Sequence, residues 1–241
     1  MTPAKLADQI RDVRYRHGGD PFDLFVVETM REIGIPVRED PPSEEVAEEV
    51  RPLTQAYLEM AHAAPEFEDI LGPTYMAYRE GAKAFAGQFF TPPDVCRMMV
   101  EMTLGDWEPR PHPEGGLWRL LEPACGSGAM LLAAYHHLLQ RHGPEALRLW
   151  YSEAWDVDRT LARTCALQVL ITLARHNWAL GEIRVIHGDT LRMEVRSVVL
   201  HAEAAPQPVG APGPASALGR GPGRQLSLFG DDTHEQERGA A

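Results

Sequence analysis

The residues of this 241-residue chain whose types and spacing could do chemistry are two glycines and a set of carboxylates. Gly126 and Gly128 lie in Glu122-Pro123-Ala124-Cys125-Gly126-Ser127-Gly128, between the apolar Leu120-Leu121 and the helix-forming Ala129-Met130-Leu131-Leu132. Lacking a Cβ, glycine takes dihedrals closed to other residues and lets a ligand come up to the backbone. Asp156 and Asp158 end a second strand pattern over 147–155, and Asp189 ends a third over 183–186. Acids at the carboxyl edge of an open α/β sheet are placed to accept hydrogen bonds from ribose hydroxyls. An ordinary tight βα turn also uses Gly-x-Gly, and each Asp also suits a helix cap. Three acid-bearing strand ends in series favour a ligand edge over three separate caps.

The order strand, glycine turn, helix, strand, acid predicts an α/β fold with a mostly parallel sheet. Upstream, Gly87-Gln88-Phe89-Phe90-Thr91-Pro92 precedes a helix-forming run. Thr91 is expected to cap that helix with Pro92 at its first position, and Val95, Met98, Met99 and Met102 to form its buried face. Phe89 and Phe90 taken alone also read as core packing.

These segments, with Gly188-Asp189-Thr190-Leu191, resemble the ordered motifs of adenine-specific N6 DNA methyltransferases, especially the modification subunits of type I restriction systems. The resemblance covers roughly residues 65 to 195. It implies a Rossmann-like S-adenosylmethionine-dependent methyltransferase sheet. It also implies a cofactor site built from Phe90, Thr91, Pro92, Glu122, Ala124, Gly126, Gly128, Asp156 and Asp189. In the family the acid after the second strand takes the ribose, and the Asp of Gly-Asp-Thr-Leu lies beside the adenine ring. Glu122 stands where the family usually has Asp, and either carboxylate can accept from the methionine ammonium. The ligand carries no phosphate, so two glycines suffice where a dinucleotide fold needs three.

One part of the family pattern is missing. Such enzymes flip the target adenine and hold its amino group with an Asn-Pro-Pro-aromatic segment after the fourth strand, with the aromatic ring stacked on the base. Here that stretch reads Val195 to Pro206 and ends a strand pattern in His201-Ala202-Glu203, so the catalytic residues are unknown. His201 and Glu203 as a substitute acid and base are a more costly reading than the start of a tail. The fourth strand is expected to be an apolar edge of an incomplete sheet, covered by the N-terminal helices or paired by a second protein chain or another copy.

Residues 204–224 are mainly Ala, Pro and Gly and cannot bury enough apolar surface to order themselves, which predicts a disordered linker. Gln225-Leu226-Ser227-Leu228-Phe229 follows and resembles the peptide by which bacterial DNA-processing proteins dock on the sliding clamp of the replicative polymerase. In that resemblance Gln225 makes polar contacts, while Leu226, Leu228 and Phe229 fill apolar pockets. A tether of roughly twenty residues reaches about 25 Å, which raises the effective concentration of whatever it carries.

The chain therefore divides into an N-terminal helical region 1–86, a methyltransferase-like domain 87–203, and a linker and tail 204–241. Apolar residues at helical spacing predict helices over 5–16, 21–33 and 43–63, with Ser43 as an N-cap and Pro52 bending or dividing the third. His136, His137 and His142 suit surface or helix-end roles, and three scattered cysteines suit neither a metal site nor a disulfide framework, so no metal is expected. No run is long enough to span a bilayer and no signal peptide is visible, so the expected location is cytoplasmic, with no membrane contact. The net charge of −12 weighs against strong autonomous DNA affinity and makes a clamp or a DNA-binding partner more useful. Two functions follow: DNA adenine N6-methylation with a partner, or a catalytically inactive methyltransferase-derived module tethered to the clamp.

Overall fold

In a computed structural model the described residues are 1–13, 19–80 and 90–203. Four strands form one sheet in the order β1-β2-β3-β4: β1 Trp118–Glu122, β2 Trp150–Asp156, β3 Glu182–Asp189 and β4 Glu194–Glu203. The first three are parallel, and β4 returns antiparallel to β3. Helix α6 (Ala129–His142) links β1 to β2 through a short 3-10 turn, Pro144–Leu149, and α7 (Arg159–His176) links β2 to β3. Right-handed crossovers running in one direction put both helices on the same face of the sheet. Trp118, Leu120, Trp150, Ser152, Ala154, Ile183 and Val185 share that face in register.

Among the described residues five helices precede the sheet, and the first four form the helical region: α1 Pro3–Asp12, α2 Pro21–Glu32, α3 Glu44–Ala63 and α4 Leu71–Arg79. Three of them begin as their sequences require. Thr2 and Asp20 cap α1 and α2 with their side chains, whereas Ser43 caps α3 through its backbone carbonyl, without a side-chain bond. Pro52 does not divide α3, which continues through it. Both α2 and α3 pack on α7, so α7 lies between the sheet and the helical region and is buried nearly all round.

Gln168 joins these layers from the middle of α7. Its side-chain oxygen accepts from the backbone N–H groups of Ile70 and Leu71 at 2.8 Å each. Its amide nitrogen donates to Asp69 Oδ1 at 2.8 Å and to the Ser127 carbonyl at 2.9 Å. Free N–H groups at the start of α4 are thereby satisfied in the interior, and the glycine turn is tied to the helical region.

Two expectations change. Helix α5 (Pro93–Leu104) has Pro92 at its N-cap and Pro93 at its first position, so Thr91 is not the cap. Its buried residues are Cys96, Val100 and Leu104, while Val95, Met98, Met99 and Met102 face outward, Met102 with 79% exposure. Apolarity alone misplaced that face because methionine and valine also mark the 96-100-104 stripe's neighbours one position away, and packing on α6 selects the smaller cysteine stripe. Strand β4 is an edge, as expected; it is antiparallel and lies at the end of the sheet away from β1. A turn of only a few residues after Asp189 permits a hairpin and no parallel crossover. The other edge, β1, is the one beside the glycine turn, and its Leu121 is 59% exposed.

Replacing Gln168 by Leu keeps the volume and leaves two buried N–H groups, Asp69 and the Ser127 carbonyl without this partner. The expected cost is about 2–4 kcal/mol of unfolding free energy, read from urea denaturation. An unchanged midpoint would show that the side chain is not a structural joint.

Candidate active site

The glycine turn is held from three sides. Cys125 N–H donates to the Trp155 carbonyl at 2.7 Å, which ties the tip of β1 to that of β2. Gly126 N–H donates to Asp156 Oδ2 at 2.8 Å. Ser127 Oγ donates to Asp69 Oδ2 at 3.0 Å. Both glycines have positive φ, +54° at Gly126 and +99° at Gly128, but for different reasons. A Cβ on Gly126 would stand 3.1 Å from the Phe90 ring. One on Gly128 would meet Cys165 Sγ of α7 at 2.9 Å, so glycine is required there by the packing of α7 against the turn.

Asp156 ends β2 with its second oxygen accepting from Asp158 N–H at 2.8 Å. Asp158 itself caps α7, accepting from Thr160 and Leu161. Glu122 ends β1, and its Oε1 accepts from Ala124 N–H at 3.3 Å. Asp189 ends β3 and accepts from Leu191 and Arg192 N–H groups. Thr190 Oγ1 donates to the Pro123 carbonyl, which draws the β3–β4 turn to the β1 tip. The structure thus gathers Phe90, Glu122, Ala124, Gly126, Asp156 and Asp189 at the carboxyl edge. Thr91 and Pro92 are exposed at the start of α5. Gln88, Phe89 and the peptide Gln225, Leu226, Leu228 and Phe229 lie outside the described residues.

The electrostatics favour a cation. Burial raises the Asp156 carboxyl above its usual range, against the bonds from Asp158 and Gly126. Burial raises Glu122 too, with the charge of Asp156 adding to it against the Ala124 bond. Neither carboxylate makes an ion pair among the described residues. Two desolvated acids without a counter-charge suit a ligand that brings one. Tyr75 stands in the same wall: its ring lies 5.8 Å from that of Phe90, and its phenol is pushed up to about 12 by burial and then by Asp158.

Other candidates lie away from this edge. His201 Nε2 lies 3.0 Å from Glu182 Oε1 and 3.4 Å from Glu203, at the opposite end of the sheet from Asp189. His136, His137 and His142 pair with Glu66, Glu101 and Glu108 on and around α6. The chain's one asparagine, Asn177, is the left-handed C-cap of α7 and lies away from the carboxyl edge. Asp69, Tyr75 and Gln168 were not singled out from the sequence. The readable signal was a glutamine inside Ala166-Leu167-Gln168-Val169-Leu170, a polar group in a helix apolar on every side.

The model of the N-6 DNA Methylase family matches residues 67–204, more than half the chain, and the chain belongs to that family. Among individual proteins, it is similar to the "Type I restriction enzyme MjaVII methylase subunit" of Methanocaldococcus jannaschii, at 28% identity over 143 residues. That match takes in 58% of this chain and 22% of the relative, so the chain spans about a fifth of the relative's length. A crystal structure of a candidate class I S-adenosylmethionine-dependent methyltransferase from Listeria monocytogenes overlaps 70% of this chain and 49% of its own, at 12% identity and a TM-score of 0.46.

S-adenosylmethionine is the cofactor of this family, and the residues present fit it: paired acids without a counter-charge for a cationic ligand, and an aromatic ring against an open glycine.

The raised carboxyls give a signed prediction. A raised native pKa costs stability as pH climbs through it, so at neutral pH ionised Glu122 strains the unliganded fold. Glu122→Gln should raise the melting temperature at neutral pH, lose that advantage in acid below the ordinary carboxylate range, and weaken cofactor binding about tenfold. Calorimetry at both pH values checks all three; a lower neutral melting temperature would contradict the electrostatic reading.

Proposed function

We propose that this chain is the cofactor-binding part of a DNA adenine N6-methyltransferase, that a second chain supplies the adenine-holding residues, and that the second chain or another copy of this one completes the sheet. The observation that carries it is the 2.8 Å bond from Gly126 to Asp156, which fixes the glycine turn and the ribose-class acid beside Glu122 and Phe90. Phe90, Glu122, Ala124, Gly126, Gly128, Asp156 and Asp189 are the binding set. Glu122 accepts from the ammonium, Asp156 from the ribose, and Phe90 and Asp189 flank the base. When bound, S-adenosylmethionine supplies a methyl group activated by its sulfonium. The chain's part is to orient that group and keep water from it. Thr91 and Pro92 belong to the set through the family motif and sit at its exposed rim.

The need for a partner rests on two features. The only asparagine is remote from the carboxyl edge, so no residue of this sequence can play the Asn of an Asn-Pro-Pro-aromatic segment. And the edge beside the site, β1, has one neighbour only among the described residues, with Leu121 exposed. A strand added there would extend the sheet where the glycine turn stands. DNA is the proposed substrate. The division into a helical region, a cofactor domain and a tail is retained, and the tail peptide 225–229 is proposed to dock on the sliding clamp.

The absent asparagine also favours a second reading, a binding module without chemistry. Calorimetry with S-adenosylmethionine, then methyl transfer to DNA with and without cell extract, separates the two. Binding with transfer only in extract is the expected result. Binding without transfer in either case supports the module, and no binding at millimolar cofactor removes both. Replacing Leu228 and Phe229 by Ala is expected to abolish clamp pull-down, and unchanged recovery removes that assignment.

A further inference from the structure

An apolar groove of about 400 Å³ opens between the helical region and α7, away from the site. Its walls are Ile33 and Ile35 after α2, Leu58 on α3, and Leu170, Ile171 and Ala174 on α7, with His62 and Arg175 at the rim. Arg175 is fixed there by donating to the carbonyls of Ala61 and Ala64 at the end of α3. An apolar trough with a held cation at its lip is the form of a site for a short apolar peptide followed by acid.

This sequence contains such a peptide. We propose that residues 225–229 dock in the groove of their own chain, with Leu226, Leu228 and Phe229 in the trough and Asp231-Asp232 toward Arg175. The chain leaves the sheet at Glu203, which pairs with Glu182 at the foot of β3. Helix α7, whose second half walls the groove, contacts both β3 and β4. Between Glu203 and Gln225 stand 21 residues, mostly Ala, Pro and Gly. A spacer of that length spans about 25 Å on average, so the peptide is presented to the groove at millimolar effective concentration. Leu226, Leu228 and Phe229 are three large apolar residues within four positions, in a tail that otherwise offers only the isolated Val209 and Leu218. The acids follow Phe229 by two and three positions, and Arg175 gives the groove a cation to meet them. Docking in cis covers apolar surface on both elements and withholds the peptide from any external partner until one competes for it.

The inference stands independently of the cofactor reading. In the full chain, Ala174, which is exposed on the groove wall, is replaced by the photo-cross-linking residue p-benzoylphenylalanine. Irradiation should join position 174 to residues 225–229 within one chain, with a yield that does not change on dilution. Leu226→Ala, Leu228→Ala and Phe229→Ala together should reduce that yield about tenfold or more. In the chain without the photo-cross-linker, the same triple variant should speed amide exchange at 33–35 and 170–175. Cross-links that form only between two chains, a yield the variant leaves unchanged, or exchange that the variant does not alter would overturn the proposal.

Discussion

The fold and the site both depend on how one buried amide is shared. Gln168 cannot turn away from its partners, because α7 is surrounded by the sheet on one side and by α2 and α3 on the other. Its oxygen holds the start of α4 and its nitrogen holds Asp69 and the Ser127 carbonyl. Since Asp69 also takes the Ser127 hydroxyl, the residue between the two glycines is fixed at both backbone and side chain. A glycine turn is otherwise the most mobile kind of segment, since glycine loses the most freedom on ordering. The helical region is therefore part of the site's machinery: it carries Tyr75 to the wall of the site and immobilises the turn that Asp156 then reads.

That rigidity serves an electrostatically unfavourable arrangement. Asp156 and Glu122 are held near each other, partly removed from water, in a chain whose net charge is already −12. Elsewhere the chain pairs its buried charges: Arg163 of α7 lies between Asp23 and Glu39 and is nearly inaccessible. The contrast separates a charge paired within the fold from two carboxylates that make no ion pair among the described residues. Binding sites conserve such stored cost, since a preorganised acid spends no reorganisation when the cation arrives.

The sequence displayed the parts of this arrangement that repeat at short range. Strand, Gly-x-Gly turn, helix and terminal acid are contiguous in the chain, and β1, β2 and β3 end at Glu122, Asp156 and Asp189. Residues 147–149, read as the start of the second strand, lie instead in the 3-10 turn, and β3 runs past the 183–186 pattern to Asp189 itself. What it concealed were choices made by tertiary packing. Gly128 looks like Gly126 in sequence, and only the fold shows that a Cβ would meet Cys165 of α7 at the first and the Phe90 ring at the second. The outward turn of Met98, Met99 and Met102 depends on which stripe of α5 meets α6. The direction of β4 depends on the brevity of the turn after Asp189, a feature visible in the chain.

The unhelixed face of the sheet constrains how any completing chain could approach. Arg119, Tyr151, Glu153 and Arg184 share that face in register. The Arg119 guanidinium lies 5.1 Å from the centre of the Tyr151 ring, and Tyr151 and the Trp155 indole both donate to Glu153. Although burial opposes it, those two bonds and the charges of Arg184 and Arg119 hold the Glu153 carboxyl below its usual range. Parallel sheets are ordinarily covered on both faces, and this one instead carries a self-paired polar network. A helical layer laid over it would have to desolvate that network, which ion pairs seldom repay. The β1 edge imposes no such cost: it offers unpaired backbone and the exposed Leu121. Growth of the sheet from that edge is thus the approach that the charge pattern leaves open, and it leads directly to the glycine turn and its acids.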